Sequence, residues 1–205
     1  MIAINENKLR ARMLQEMHLE RFLGRYGSGR RRQVMLPLYT EMLAEAKRVM
    51  HPRVLFQEKQ APKMAQFGDF IAGAEDIVLA IVTTGVEIEE LISELSESKL
   101  PRAVILDEIG TEMVLELARQ LHLAIRAHAR IESRRTSPSF RPGIGRWPLE
   151  LQQELFRILR AQELGLRLLP SMQMLPQKTV SMIVGIGKDL HTCRTPVRIL
   201  AETSD

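Results

Sequence analysis

SPSFRPGIGRWPLE, residues Ser137 to Glu150, crowds three prolines and two glycines into a short span and leads at once into a periodic helix. The chain's single tryptophan, Trp147, and two arginines, Arg141 and Arg146, sit among them. Stiff, charged, aromatic loops at a helix start are common places for binding sites. Pro148 suits a first-turn position, where its missing N–H is not needed. From Leu149 to Leu164 apolar residues recur at helical spacing, and Gly165 ends the run. The free N–H groups of that first turn favour an anionic group nearby.

Working outward, Asn5 or Asn7 can cap a first helix that runs to about Leu23, with Leu9, Met13 and Met17 on one face and Gly24, Gly27 and Gly29 closing it. Arg31 to Met50 fits a second helix, with Pro37 early in it as a candidate first turn. His51-Pro52 closes it, because the residue before proline is driven out of the helical region. RVLFQ, Arg53 to Gln57, reads as a short strand, and IVLAIVT, Ile77 to Thr83, as a buried central strand, β-branched and uncharged. Thr84-Gly85 then turns into a helix over Glu87 to Leu95, and Pro101 opens another that runs towards His128, with Gly110 a candidate break. Leu166 to Leu169 and Thr179 to Ile186 read as the two strands of a hairpin, and the chain after Gly187 as irregular. Helices flank a few strands without regular βαβ alternation, which places the chain in the α+β class. The expected organisation is one domain with a helical part over 1–52 and an α+β core over 53–190, followed by an irregular tail over 191–205.

A chain of 205 residues can bury a sizeable core. Aromatics are only 4%, so that core must rest on Leu, Ile, Val, Ala and Met, and the 11 methionines read as gap-fillers within it. The net charge of +4 is unevenly placed. Arg30, Arg31 and Arg32 follow a Gly-Ser-Gly, while Arg126, Arg130, Arg134, Arg135, Arg141 and Arg146 fill the opening loop and its approach. Solvated faces and an anionic partner both fit such clusters. A single cysteine, Cys193, excludes an intramolecular disulfide and suits a reducing compartment. The N-terminal MIAINENKLRARM lacks a signal-peptide apolar stretch, and the longest apolar run, Ile77 to Val82, is too short for a bilayer. A cytoplasmic protein without a membrane span is expected.

The histidines, at 18, 51, 122, 128 and 191, are scattered without metal-ligand spacing. No G-x-S-x-G elbow occurs, and Cys193 has no evident catalytic partner. Phosphate motifs fail as well: Lys188 is followed by Asp189, and Gly143-Ile144-Gly145 lacks a third glycine. Asp107 ends the apolar run AVIL, where an acid can meet a ribose or an ammonium group, although capping a helix or pairing with an arginine is its more ordinary use. The arginines invite nucleic acid, but scarce aromatics and the lack of a helix-turn-helix, zinc or RNP pattern disfavour it.

From Gly73 to about Gly187 the order of landmarks resembles the activation domain of cobalamin-dependent methionine synthase, above all its free-standing single-domain relatives. The landmarks are TTGVEIEE (Thr83 to Glu90), ILDEIGTEMV (Ile105 to Val114), RPGIGRWPLELQQELFRIL (Arg141 to Leu159) and LGLRLLPSMQMLPQKTVSMIVGIG (Leu164 to Gly187). The resemblance implies an α+β fold, a bent antiparallel sheet flanked by helices. It implies S-adenosylmethionine bound in a shallow groove, a partner that is a cobalamin-dependent methionine synthase or another corrinoid protein and supplies the cobalamin, and a reductase that supplies an electron. The role implied is methyltransferase-associated, the remethylation of oxidised cobalamin, with chemistry that belongs to donor and cobalt and positioning that belongs to the protein.

The family's donor signature is an arginine, three residues, then glycine and tyrosine, ahead of a Trp-Pro. Laid on Trp147-Pro148, it puts Ser139 at the arginine, Ile144 at the tyrosine and Arg146 at an aspartate. A serine hydroxyl cannot hold a carboxylate as a guanidinium fork does, and isoleucine has no hydroxyl. Arg141 stands two residues on, which in extended chain keeps it on the same side. The donor contacts implied are therefore Arg141, Gly143, Ile144 and Gly145, with Asp107 and Thr83 as further groove residues and none assigned to catalysis. Two other readings stay open: a diverged, non-catalytic relative that docks a corrinoid protein without the donor, and a basic nucleic-acid-binding module.

Overall fold

The computed structural model of the chain describes residues 5–15, 30–61, 71–145 and 147–190. Helix α1 (Glu6–Gln15) begins at Asn5, whose side-chain oxygen accepts the Lys8 N–H at 3.0 Å, the capping bond expected of an asparagine there. Helix α2 (Arg30–Val49) leads into strand β1 (Arg53–Gln60), and strand β2 (Asp76–Thr83) follows. Helices α3 (Glu87–Ser98) and α4 (Leu100–Ile131) come next, then the short strand β3 (Arg135–Thr136). Helix α5 (Leu151–Leu159), a 3₁₀ turn (Ala161–Leu164), the small strands β4 (Arg167–Leu168) and β5 (Met174–Leu175), and strand β6 (Thr179–Gly187) complete the order.

β1, β2, β6 and β3 form, in that order, a bent antiparallel sheet flanked by helices. Alternation along its two central strands sorts the core into two layers. Val78, Ala80 and Val82 of β2 and Met182, Val184 and Ile186 of β6 face one way, against Leu9 and Met13 of α1, Tyr39 and Met42 of α2 and Leu106, Ile109 and Met113 of α4. Ile77, Leu79, Ile81 and Ile183 face the other way, under Leu155, Phe156 and Leu159 of α5 and Trp147. A strand covered on both faces reads as an unbroken apolar run, which is why IVLAIVT stood out. Each large side chain buried under α5 contributes about 1.5–3 kcal/mol.

Four sequence expectations change. Pro37 is no first turn: α2 starts at Arg30 and carries Pro37 inside. Pro37 and Gln33, four residues before it, are exposed, so the carbonyl that loses its N–H partner meets water. Gly110 does not break α4; a side chain there would press on Ile88, 3.0 Å away, so the glycine serves the packing of α3 on α4. The helix expected to Leu164 stops at Leu159, because Arg160 takes a left-handed conformation (φ 51°) and the turn after it brings Ala161 and Leu166 into the layer of Leu159. The expected hairpin does not form. β4 pairs with β5 in a separate ribbon, and β6, buried along nearly its whole length, lies between β2 and β3. β3, two residues at the start of the Pro/Gly loop, joins the sheet edge beside β6. The remainder of the expected first helix, Gly24 to Gly29, and the tail with Cys193 lie outside the described residues.

Candidate functional site

The Ser137–Glu150 stretch leaves the sheet through a bulge. Thr136 pairs with Ile186 and Phe140 with Ile183, so four steps on one strand meet three on the other. At the extra residue the Ser137 N–H donates to the Gly185 carbonyl at 2.9 Å, and the Gly185 N–H is received at 2.9 Å by the Ser137 hydroxyl rather than by a backbone carbonyl. Pro138, which has no N–H to offer a ladder, sits beside it.

Arg141-Pro142-Gly143-Ile144 then forms a tight turn closed by the Ile144 N–H on the Arg141 carbonyl at 3.1 Å. Proline at the second place and a glycine with φ of 82° at the third are the chemistry of a type II turn. A second bond, Gly143 N–H to the Trp147 carbonyl at 2.9 Å, folds the loop back. The Phe140 and Trp147 rings stack at 4.9 Å, and Trp147 is buried, so the tryptophan anchors the loop. Ile144 is left 60% exposed at the turn's tip, with Gly145 exposed beside it. The half-buried Arg141 has no ion-pair partner among the described residues. Arg146 lies outside the described residues.

Asp107 and Thr83 stand elsewhere. Thr83 pairs with Thr179, four residues along from the Leu79–Ile183 pair that adjoins Phe140, roughly 13 Å of strand. The buried Thr83 hydroxyl accepts from the Gly85 N–H at 3.2 Å and lies 3.0 Å from the Thr179 hydroxyl. Asp107 is paired at 2.6 Å with the Lys178 ammonium, which also donates to Thr111 at 2.9 Å. The Lys178 N–H donates to Glu89 at 2.7 Å, and its carbonyl accepts the Thr84 N–H at 3.1 Å. Lys178 thus ties α3, α4 and the end of β2 together. The sequence held no sign of it, since its partners are brought near only by folding.

The arginine cluster divides. Arg134 is held by Asp76 and Glu132, with Glu58 at 3.8 Å and Glu75 at 3.9 Å. Partial burial works against its charge, but hydrogen bonds to Asp76 and Glu132 outweigh that and raise its pKa. It borders a cavity of about 650 Å³ beside Phe56, Gln57 and Glu58. With its fork engaged by carboxylates, Arg134 is not free to take an anion. Among the described residues, no His, Cys, Asp or Glu side chains group as a metal site, and no helix is long and apolar enough to cross a membrane.

No family model matches the chain, and no curated protein matches it. Among solved structures, the crystal structure of the MetH reactivation domain bound to AdoHcy superimposes with a TM-score of 0.60 at 16% identity, over 77% of this chain. The chain has the fold of the MetH reactivation domain. It spans 66% of that protein's length. The α+β fold that the landmarks implied is therefore the fold observed, with its sheet and flanking helices in the expected class.

Proposed function

We propose that the protein is an S-adenosylmethionine-binding module that assists the reductive remethylation of a cobalamin-dependent methionine synthase or a related corrinoid methyltransferase. The observation that carries this reading is the fold shared with a reactivation domain crystallised with AdoHcy, the molecule left when the donor gives up its methyl. The Arg141 turn supports it locally. A guanidinium with no ion-pair partner among the described residues stands at the base of an exposed Pro-Gly turn, suited to a donor's carboxylate. Gly143 and Gly145 leave the backbone open to close approach. Cobalamin comes with the partner protein, a reductase supplies the electron, and the setting is the cytoplasm.

Calorimetry tests the reading. S-adenosylmethionine should release heat at submillimolar concentration, and Arg141→Ala should weaken binding at least about tenfold, the worth of one charged hydrogen bond. Silence at millimolar ligand, or an unaffected variant, refutes it. One observation favours the second reading, a relative that docks a corrinoid protein without the donor. The Ser139 hydroxyl, at the signature arginine, is buried without a partner among the described residues, and Ile144, at the tyrosine, is exposed and apolar. That reading expects capture of a cobalamin-loaded methyltransferase by a protein that ignores S-adenosylmethionine.

A further inference from the structure

Strand β1 lies at the edge of the four-stranded sheet and pairs, among the described residues, with β2 alone. The Ala61 N–H donates to the Glu75 carbonyl at 2.8 Å, which extends the β1–β2 register by one hydrogen-bonded pair. Bonding pairs alternate along an antiparallel ladder, so Leu55, Gln57 and Lys59 direct their backbone groups to β2. Phe56 and Gln60 turn theirs outward, where no backbone group among the described residues meets them. The cavity of about 650 Å³ beside Arg134 follows this edge, for its wall includes five consecutive residues of β1, Phe56 to Gln60, about 17 Å of strand. Open backbone groups along a space of that length are a template for a further strand.

The side chains along the edge say which strand fits. Phe56, Glu58 and Gln60 share one face, as alternate residues do, and Phe56 packs against the layer of α1, α2 and α4. Four carboxylates, those of Glu58, Glu75, Asp76 and Glu132, surround the one Arg134 guanidinium, so negative charge is in surplus there. A strand residue opposite Glu58 should therefore be basic, and the one opposite Phe56 apolar. A second copy of β1 fits poorly. Outward residues bond only outward residues, so a twofold pair centred on Glu58 sets that carboxylate against itself. Centred on Gln57 it sets Phe56 against Glu58, and centred on Phe56 it sets Arg53 against Lys59. We propose that the β1 edge binds an extended segment of a partner protein as an added antiparallel strand, with a basic residue against Glu58 and an apolar residue against Phe56. The surface lies at the opposite sheet edge from β3, and the inference does not rest on the function proposed above.

A capped peptide, acetyl-Thr-Glu-Arg-Thr-Val-amide, sets its arginine against Glu58, its glutamate against Lys59 and its valine against Phe56 in antiparallel register. Added to the full chain, it should slow amide exchange at Phe56 and Gln60. Two counterparts should bind at least about fivefold more weakly. One carries glutamate in place of the arginine and loses the cross-strand charge pair. The other is N-methylated at the arginine and the valine, whose N–H groups face β1, and loses the hydrogen bonds. Glu58→Lys should reverse the preference, so that the glutamate peptide binds better than the arginine one. Equal affinity of the three peptides, or unchanged amide exchange at millimolar peptide, overturns the inference. Slow exchange at Phe56 and Gln60 without peptide also overturns it. In a dimer by sedimentation the second copy then holds the edge, and in a monomer the chain's own residues do. Should Glu58→Lys fail to fold by circular dichroism, the three peptides on the parent decide.

Discussion

The Ser137 hydroxyl accepts the Gly185 N–H at 2.9 Å and donates to the Pro138 carbonyl at 2.7 Å, so one side chain carries the ladder across the bulge. Ser137→Ala should leave a buried N–H unpaired and cost about 1–3 kcal/mol in urea unfolding. An alanine variant as stable as the parent would remove this role. Gly143 is the other residue on which the loop depends. Its φ of 82° is costly for any residue with a Cβ, and that Cβ would stand 2.9 Å from Leu149 Cδ1. Gly143→Ala should therefore cost about 1–2 kcal/mol, read as a lowered melting temperature. The proline and glycine of this turn were legible, because turn chemistry is local. The serine's role was not, because Gly185 reaches it only through the sheet.

Between elements, the His122 ring of α4 holds the sheet edge, with Nε2 2.9 Å from the Ser137 carbonyl. Burial lowers the His122 pKa below the ordinary 6.5; the bond to Ser137 opposes this, and the nearby Arg126 charge adds to it. The sign follows. The unfolded chain takes up its proton first as pH falls below about 6.5, so the stability present above that value is lost as pH drops through the lower folded pKa. Between about pH 7.5 and pH 5 the parent should lose more unfolding free energy than His122→Gln. Equal losses would mean that His122 takes no part. α5 depends on its inner face instead. Leu155 is fully buried beneath it, and Leu155→Ala should cost about 2–5 kcal/mol, measured by denaturant midpoint. Helical spacing revealed that face in the sequence, whereas the helix's end at Leu159 came from a left-handed Arg160 that no residue preference marks.

Across the whole molecule, the sheet separates the residues grouped by the family resemblance. The Arg141–Gly145 turn lies by the bulge at one edge, while Thr83 and Asp107 gather about Lys178 at the strand ends. Asp107 is half exposed, so its bond to Lys178 is screened by solvent and is worth about 0–1 kcal/mol. Asp107→Asn should thus change stability by less than about 1 kcal/mol and leave S-adenosylmethionine affinity as it was. A tenfold loss of affinity in that variant would bring Asp107 back to the donor site.

By itself the sequence determined the elements whose causes are local. Capping at Asn5, the apolar runs of β2 and β6, the inner face of α5 and the Arg-Pro-Gly turn all follow from residues that are neighbours in the chain or one helical turn apart. With the order of its landmarks, it also determined the class of fold. Tertiary structure alone decided which strand lies beside which, that Ser137 bonds Gly185, and that Lys178 holds Asp107. Each of these joins residues distant in the chain. Side-chain alternation says which face a residue takes, but not which partner waits there.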